Sequence, residues 1–123
     1  MKELLKNIKT FSDDYLILDG LVPTISLGYI KEEFVLYKIE KENYRKLLDL
    51  FYKITDKRVN ENYLISELSH GQKLILSSII VLSSSAKKIL FRNFFTSVSI
   101  QNRSKINTLI AEQKTNGKII KII

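Results

Sequence analysis

The sequence predicts a small α/β domain in which helices flank a parallel sheet. Short apolar runs with the length of buried strands alternate along the chain with longer segments of helical periodicity. A strand, a helix and a strand that follow one another at this spacing favour parallel pairing. With 45% hydrophobic residues, the 123-residue chain has enough apolar material for one core. We therefore expect a single domain over residues 1–123.

The N-terminal third is predicted to contain one helix and two strands. The apolar run over residues 15–18 ends at Asp19 and Gly20, a pair that favours turns, and therefore predicts a strand. A second strand is expected over residues 24–30. A helix over residues 2–10 is indicated by apolar side chains at helical spacing, namely Leu4, Leu5, Ile8 and Phe11.

The segment over residues 40–54 is the most regular of the predicted helices. Glu40 and Glu42 would lie in its first turn, where the helix dipole favours anionic side chains. One face carries its apolar residues, which are Tyr44, Leu47, Leu48, Phe51 and Ile54.

The C-terminal half is predicted to alternate helices with strands. Ser69 is expected to cap a helix that is apolar on more than one side, so this helix needs deep burial or the cover of a partner. Residues 88–91 are predicted to form a strand. Ser99 is expected to cap the next helix, and Asn116 and Gly117 would stop it before a final strand over residues 118–123. The apolar stripe of this last helix consists of Ile106, Leu109 and Ile110.

Charge divides the chain into two unequal halves. Residues 1–67 hold eleven Lys or Arg and twelve Asp or Glu, whereas residues 68–123 hold nine and one. The net charge of +7 therefore comes from the C-terminal half. This half could attract nucleic acid or anionic lipid, or it could be a solvated, lysine-rich surface. No arginine-rich run and no RNA-binding aromatic motif supports the first interpretation.

Composition excludes several classes of site. The chain has no cysteine, which excludes disulfides and thiolate metal sites and fits a reducing cytoplasm. The single histidine, His70, cannot form a histidine metal cluster. No apolar run is long enough to cross a bilayer, and the first residues do not resemble a signal peptide. We therefore expect a cytoplasmic protein without a transmembrane segment, or one attached peripherally to the inner face of a membrane.

The most informative motif is LSHGQ, residues 68–72, which is followed without a gap by an apolar helix and the strand-like KKILFRNF of residues 87–94. This order resembles the signature motif and Walker B strand of ATP-binding cassette (ABC) ATPases. Residues 1–20 are similar to the helix after the Walker A loop and the strand that ends in a DG turn. Residues 28–51 resemble the Q-loop region, with a helical subdomain over about 34–67, and residues 116–123 resemble the NGK turn and the following strand.

The resemblance implies a truncated and degenerate nucleotide-binding domain. Its fold would be a partial P-loop NTPase-like sheet with flanking helices that lacks the Walker A strand, because no GxxxxGK[ST] loop is present to hold phosphates. Arg92 and Asn93 stand at the positions of the Walker B carboxylates, and an arginine cannot hold Mg²⁺. The Q-loop glutamine falls at Lys31 or Glu32 and the D-loop aspartate at Ser99. We therefore expect no catalytic residue, no metal site and no cofactor, except ATP and Mg²⁺ shared with a partner subunit.

The signature is the element of the family's site that remains. In the family, the signature of one subunit meets the γ-phosphate that the other subunit holds. Ser69, Gly71 and Gln72 match this pattern and would contact a nucleotide in trans. His70 adds a side chain where a glycine would let the backbone approach phosphate. The alternative interpretation makes Ser69 an ordinary helix cap and Gly71 an inherited remnant.

Function and partners follow as hypotheses. The missing sheet strands would leave apolar edges at KKILF and KIIKII, and such edges invite pairing. We therefore expect a homo-oligomer, a protein partner that supplies the missing surface, or a rearrangement of the strands. The leading hypothesis is a catalytically inactive module, similar to an ABC transporter ATP-binding protein, that binds or regulates an intact cassette or transport complex. The alternatives are a half-site ATPase component, a basic RNA- or ribosome-binding protein on the cassette scaffold, and a gene fragment without a role.

Overall fold

The computed structural model describes residues 14–26 and 28–123. Over this part of the chain it shows a three-stranded parallel sheet and four α-helices. The strands are β1 (Leu16–Asp19), β2 (Lys88–Arg92) and β3 (Ile119–Ile122). The helices are α1 (Ile30–Leu36), α2 (Tyr44–Thr55), α3 (His70–Ser83) and α4 (Ile100–Thr115). The predicted helix over residues 2–10 lies outside the described residues.

β2 is the central strand of the sheet. Its pairing with β1 aligns Leu16 with Ile89, and its pairing with β3 aligns Ile89 with Ile120. The predicted strands over residues 15–18, 88–91 and 118–123 are confirmed, as is their parallel direction. The expectation of an open edge at KKILF is wrong, because β2 is hydrogen-bonded on both sides. Among the described residues, the edge strands are β1 and β3.

One apolar core joins the sheet to the helices. It takes Leu18 from β1, Phe91 from β2 and Ile120 from β3, all on the same face of the sheet. The centre of the core is α3, in which residues 74–82 are buried without interruption. Leu74 and Ile75 are 0% and 2% exposed. Of the two expectations for this apolar helix, deep burial or the cover of a partner, the structure shows deep burial within the chain. Each such aliphatic side chain contributes about 1.5–3 kcal/mol through burial.

The ends of α4 lie where the sequence predicts them. Ser99 is the N-cap, and its Oγ accepts a hydrogen bond from the backbone N–H of Asn102 at 3.3 Å. Gly117, just beyond the helix, has a φ of +98°, a conformation that glycine adopts without the steric cost of a Cβ. Of the predicted apolar stripe, Ile106 and Ile110 are buried and Leu109 is half-buried.

The predicted strand over residues 24–30 is wrong. Residues 24–26 and 28 belong to no strand, Tyr29 forms a single bridge with Leu64, and Ile30 begins α1. The physical reason is that the backbone amides of Ile25 and Ser26 donate to a carboxylate on α1 instead of to a neighbouring strand.

The helix predicted over residues 40–54 is present, but it begins later. The α-helix starts at Tyr44, after a 3-10 turn over Lys41–Asn43. Glu40 and Glu42 therefore precede α2, and the prediction that they lie in its first turn is wrong. None of the helices that the structure describes is long and apolar enough to cross a membrane.

Candidate functional site

The segment that matches the signature motif forms the start of α3. The backbone N–H of Gln72 donates to Ser69 Oγ at 3.1 Å, and the backbone N–H of Ser69 donates to Gln72 Oε1 at 2.9 Å. This reciprocal capping box satisfies two of the backbone donors that a helix start leaves unpaired. Ser69 and His70 are exposed, and Gly71 and Gln72 are half-buried. The structure therefore places the three predicted site residues together at one helix N-terminus.

The chemical capacity of this segment is electrostatic. The Ser69 hydroxyl accepts the capping bond and still has a proton to donate. The positive end of the dipole of the 14-residue helix favours an anion at the same place. The arrangement can therefore offer donors to an anionic group. It is equally what a well-capped helix requires for its own stability.

Arg92, which stands at the first Walker B position, lies at the carboxyl end of β2 beside the carboxyl end of β1. Asp19 and Arg92 are register partners, and Arg92 Nε donates to Asp19 Oδ2 at 3.0 Å. The backbone N–H of Leu21 donates to Asp19 Oδ1 at 2.9 Å. Burial raises the pKa of Asp19, but the hydrogen bonds from Leu21, Arg92 and Asn93 and the charge of Arg92 outweigh it, and the net pKa is lowered. The carboxylate is thus held ionised by an ion pair across two strands.

The two strand ends touch directly at Gly20. Its backbone N–H donates to the carbonyl oxygen of Arg92 at 2.7 Å. A Cβ built on Gly20 would lie 2.0 Å from the carbonyl oxygen of Asn93 and 2.9 Å from Phe94 Cα. Asn93 itself has a φ of +53°. The backbone leaves no room for a side chain at this point, which explains the glycine of the predicted DG turn.

These strand ends do not fit a magnesium site. Mg²⁺ binds carboxylate oxygens, but both oxygens of Asp19 accept hydrogen bonds and a guanidinium nitrogen lies 3.0 Å from one of them. The positive charge of Arg92 would also repel the metal. Within residues 14–26 and 28–123, no group of three His, Asp or Glu side chains could hold a metal ion.

A buried carboxylate anchors the loop between β1 and α1, and sequence reasoning missed it. Glu33 is fully buried, and its Oε1 accepts the backbone N–H of Ile25 at 2.7 Å and that of Ser26. Within residues 14–26 and 28–123, its Oε2 has no hydrogen-bond partner. Burial raises the pKa of Glu33, and the bonds from Ser26 and Ile25 only partly oppose this rise. A helical signal was available in the spacing of Ile30 and Phe34, between which Glu33 lies.

The residues at the Q-loop position lie on the same helix. Glu32 Oε2 accepts a hydrogen bond from Ser26 Oγ at 2.7 Å, and the ammonium of Lys31 lies 5.6 Å from the centre of the Tyr29 ring. Glu32 therefore contacts the loop before α1, and Lys31 contacts the residue that precedes the helix. Burial raises the pKa of Tyr37, one turn beyond, and the charge of Glu33 adds to this rise.

A concavity of about 960 Å³ lies along α2. Arg58 lines it together with two residues that it contacts: its Nη1 lies 2.9 Å from Asp49 Oδ1, and its guanidinium lies 3.9 Å from the ring centre of Tyr52. The lining includes neither the signature residues nor the strand ends. This groove is therefore separate from the predicted site.

Comparison with known proteins supports the fold. No family model and no curated protein matches the sequence. In structure, the chain is similar to an ABC transporter ATP-binding protein from Pyrococcus furiosus, with a TM-score of 0.65 and 16% identity. The match covers 98% of this chain and 70% of that chain. At this identity the likeness concerns the fold alone, and it agrees with the resemblance drawn from the LSHGQ motif. The chain therefore has an ABC-like α/β fold.

Proposed function

We propose that the chain is an ABC-type module that acts by binding a partner protein and does not hydrolyse ATP by itself. The observation that carries this proposal is the Arg92–Asp19 ion pair at the end of the central strand. The resemblance would require a metal-holding carboxylate at the position of Arg92. The similarity in fold to an ABC transporter ATP-binding protein supports the ABC-type part of the proposal.

The chemistry of phosphoryl transfer explains why the ion pair matters. Catalysis of this reaction depends almost wholly on cations and donors that are positioned around the transferred phosphoryl group. Arg92 supplies a fixed positive charge that opposes binding of Mg²⁺ at the strand end, and both oxygens of Asp19 already accept hydrogen bonds. In this proposal, the described residues at the strand end supply no carboxylate that is positioned to organise the metal.

The signature segment has a role in this proposal. Ser69, Gly71 and Gln72 would contact a nucleotide that a partner subunit holds. The exposure of Ser69 and the intact capping box support this role, because they keep the helix N-terminus accessible and ordered. The test adds the chain to an intact cassette ATPase and measures phosphate release. We expect the chain to change that rate and Ser69→Arg to abolish the change.

The proposed lack of hydrolysis is tested with the isolated chain. Phosphate release from ATP is measured with Mg²⁺ and with EDTA, and an intact cassette ATPase serves as the positive control. We expect release by the chain to equal that of a protein-free blank in both conditions. Release that depends on magnesium would refute the proposal.

The basic half favours one alternative function, binding to RNA. Nine of the ten charged residues after Glu67 are Lys or Arg. Binding of a labelled RNA at low salt that weakens steeply with added salt would support this alternative. No binding at low salt would remove it.

A further inference from the structure

The outer edge of β3 is open in the part of the chain that the structure describes. Among the described strands, β3 lies at one side of the sheet with β2 as its one neighbour. Such an edge presents a row of unpaired backbone groups and can accept another strand.

The hydrogen bonds to β2 show which backbone groups face outward. The N–H groups of Ile119 and Ile123 donate inward, to Lys87 and Phe91, at 2.8 Å in both cases. Because alternate residues of a strand turn their backbone groups to opposite sides, Ile120 and Ile122 turn theirs to the open edge. As far as the described residues go, two N–H and two C=O groups are therefore available to an incoming strand.

The side chains along this edge differ between the two faces of the sheet. On one face lie Ile120, which is buried in the core, and Ile122, which is 44% exposed. On the other face lie Ile119, which is 49% exposed, and Lys121. An incoming strand thus meets an apolar surface on the core side and a basic residue on the opposite side.

The basic face carries more than one positive charge. The ammonium groups of Lys88 and Lys121 lie 5.6 Å and 5.2 Å from the ring centre of Tyr15. Two like charges that share one aromatic ring gain from an acidic side chain placed beside them. A strand with an acidic residue opposite Lys121 therefore complements this surface, since oppositely charged cross-strand pairs are stabilising.

In the register that places Lys121 opposite itself, a second copy of the chain is a poorer occupant of the same edge. A symmetric antiparallel pair centred on Lys121 would place this residue opposite the same lysine of the other copy. Like charges directly opposite one another destabilise a pair of strands, and a lysine on an edge strand is a known means of preventing self-association. In this register, charge therefore favours a different partner, one with an acidic residue opposite Lys121.

We propose that the outer edge of β3 binds an extended peptide segment as a fourth strand, and that this segment alternates apolar with acidic residues. The apolar residues pack beside Ile120 and Ile122, and an acidic residue lies opposite Lys121. The proposal rests on the proposed function, in which the chain binds a partner protein, and it adds the surface and the chemistry of that partner.

The test selects short peptides from a random displayed library on the purified full chain. The enriched consensus is then synthesised in two forms, with its acidic residues intact and with lysine in their place. Affinities are measured for the wild type and for Ile122→Pro, Lys121→Glu and Lys53→Glu. Proline at 122 removes an outward N–H and leaves the ladder to β2 intact, because residue 122 donates nothing inward. Lys53, exposed on α2, provides the matched change of charge away from the sheet.

We expect alternating apolar and acidic residues in the selected peptides. Ile122→Pro and Lys121→Glu should each weaken binding by roughly tenfold, and Lys53→Glu should change it by less than about twofold. Hydrogen exchange should be fast at the amides of Ile120 and Ile122 in the free chain and slow in the complex, whereas the amide of Ile119 should stay protected in both.

Several results would overturn the inference. They are the absence of enriched peptides, equal binding by Ile122→Pro, and slow exchange at the outward amides in the free chain. A dimer in sedimentation that Ile122→Pro abolishes would show that a second copy occupies the edge, contrary to the inference. Failure here does not affect the proposed function, because the phosphate-release measurements involve no contact with β3.

Discussion

Replacing Gly20 by alanine tests whether the ends of β1 and β2 are as close as the structure shows. The added Cβ would lie 2.0 Å from the carbonyl oxygen of Asn93 and 2.9 Å from Phe94 Cα, and both of these are backbone atoms. No side-chain rotation can relieve such contacts, so the strand ends must separate by about 1 Å. This separation stretches the 2.7 Å hydrogen bond from Gly20 to the carbonyl of Arg92.

The magnitude follows from two costs. Overpacking of this kind costs about 1–3 kcal/mol, and a weakened backbone hydrogen bond costs about 1 kcal/mol more. We therefore expect Gly20→Ala to lower the free energy of unfolding by about 2–4 kcal/mol. At an unstrained position the same change raises stability by about 0.4–1 kcal/mol, because alanine restricts the unfolded chain. The sign of the effect therefore discriminates between a close contact and open space.

Urea unfolding followed by circular dichroism measures this effect, with Gly117→Asn as the control. Gly117 has a positive φ, but a Cβ there meets nothing within 4 Å, and asparagine tolerates left-handed backbone. The control should cost about 1 kcal/mol or less. A Gly20→Ala variant as stable as the wild type, or more stable, would refute the reasoning.

Three further predictions concern the cap and the two carboxylates. Ser69→Ala should lower the free energy of unfolding by about 1 kcal/mol, because the capping box is lost. The control Ser66→Ala, at an exposed position, should change it little. Equal effects of the two changes would contradict the role of Ser69 as the helix cap. The fold raises the pKa of Glu33, so the contribution of this side chain to stability falls as pH rises above 4.5. In thermal melts, Glu33→Gln should therefore gain stability relative to wild type as pH rises above 4.5. A difference between the two proteins that does not change with pH would contradict this reasoning. The fold lowers the pKa of Asp19, so the contribution of its carboxylate to stability is present above pH 3.8 and is lost in acid. Asp19→Asn should therefore lower the free energy of unfolding by about 1 kcal/mol at neutral pH and leave it unchanged in acid. An equal loss in acid would contradict the pairing with Arg92.

Features that depend on local spacing could be predicted from the sequence. Ser69 and Ser99 cap the helices that follow them because a cap needs only its own hydroxyl and an amide three residues away. Gly117 ends α4 for a similarly local reason. The three signature residues lie together because they are nearly contiguous in the chain. For these elements, the residue pattern contains nearly all of the physical information.

Features that depend on distant contacts could not be predicted. Arg92 finds its partner Asp19 at a separation of 73 residues, and no periodicity reveals such a pair. The loop before α1 takes its shape from the buried Glu33, which a sequence pattern classes as a solvated charge. The central position of β2 was missed for the same reason, since strand order is set by pairing between segments and not within them.

The distance along the chain between β1 and β2 has a consequence for biosynthesis. Once Leu16 has been translated, the ribosome must add about 70 more residues before Ile89 exists to pair with it, which takes about 4–15 s at ordinary elongation rates. Because both segments leave the ribosome in the order of their synthesis, Leu16 and Leu18 emerge by about the same interval before β2, which then cannot shield them. Chaperones that hold hydrophobic segments during translation therefore have several seconds in which to engage this protein before its sheet can close.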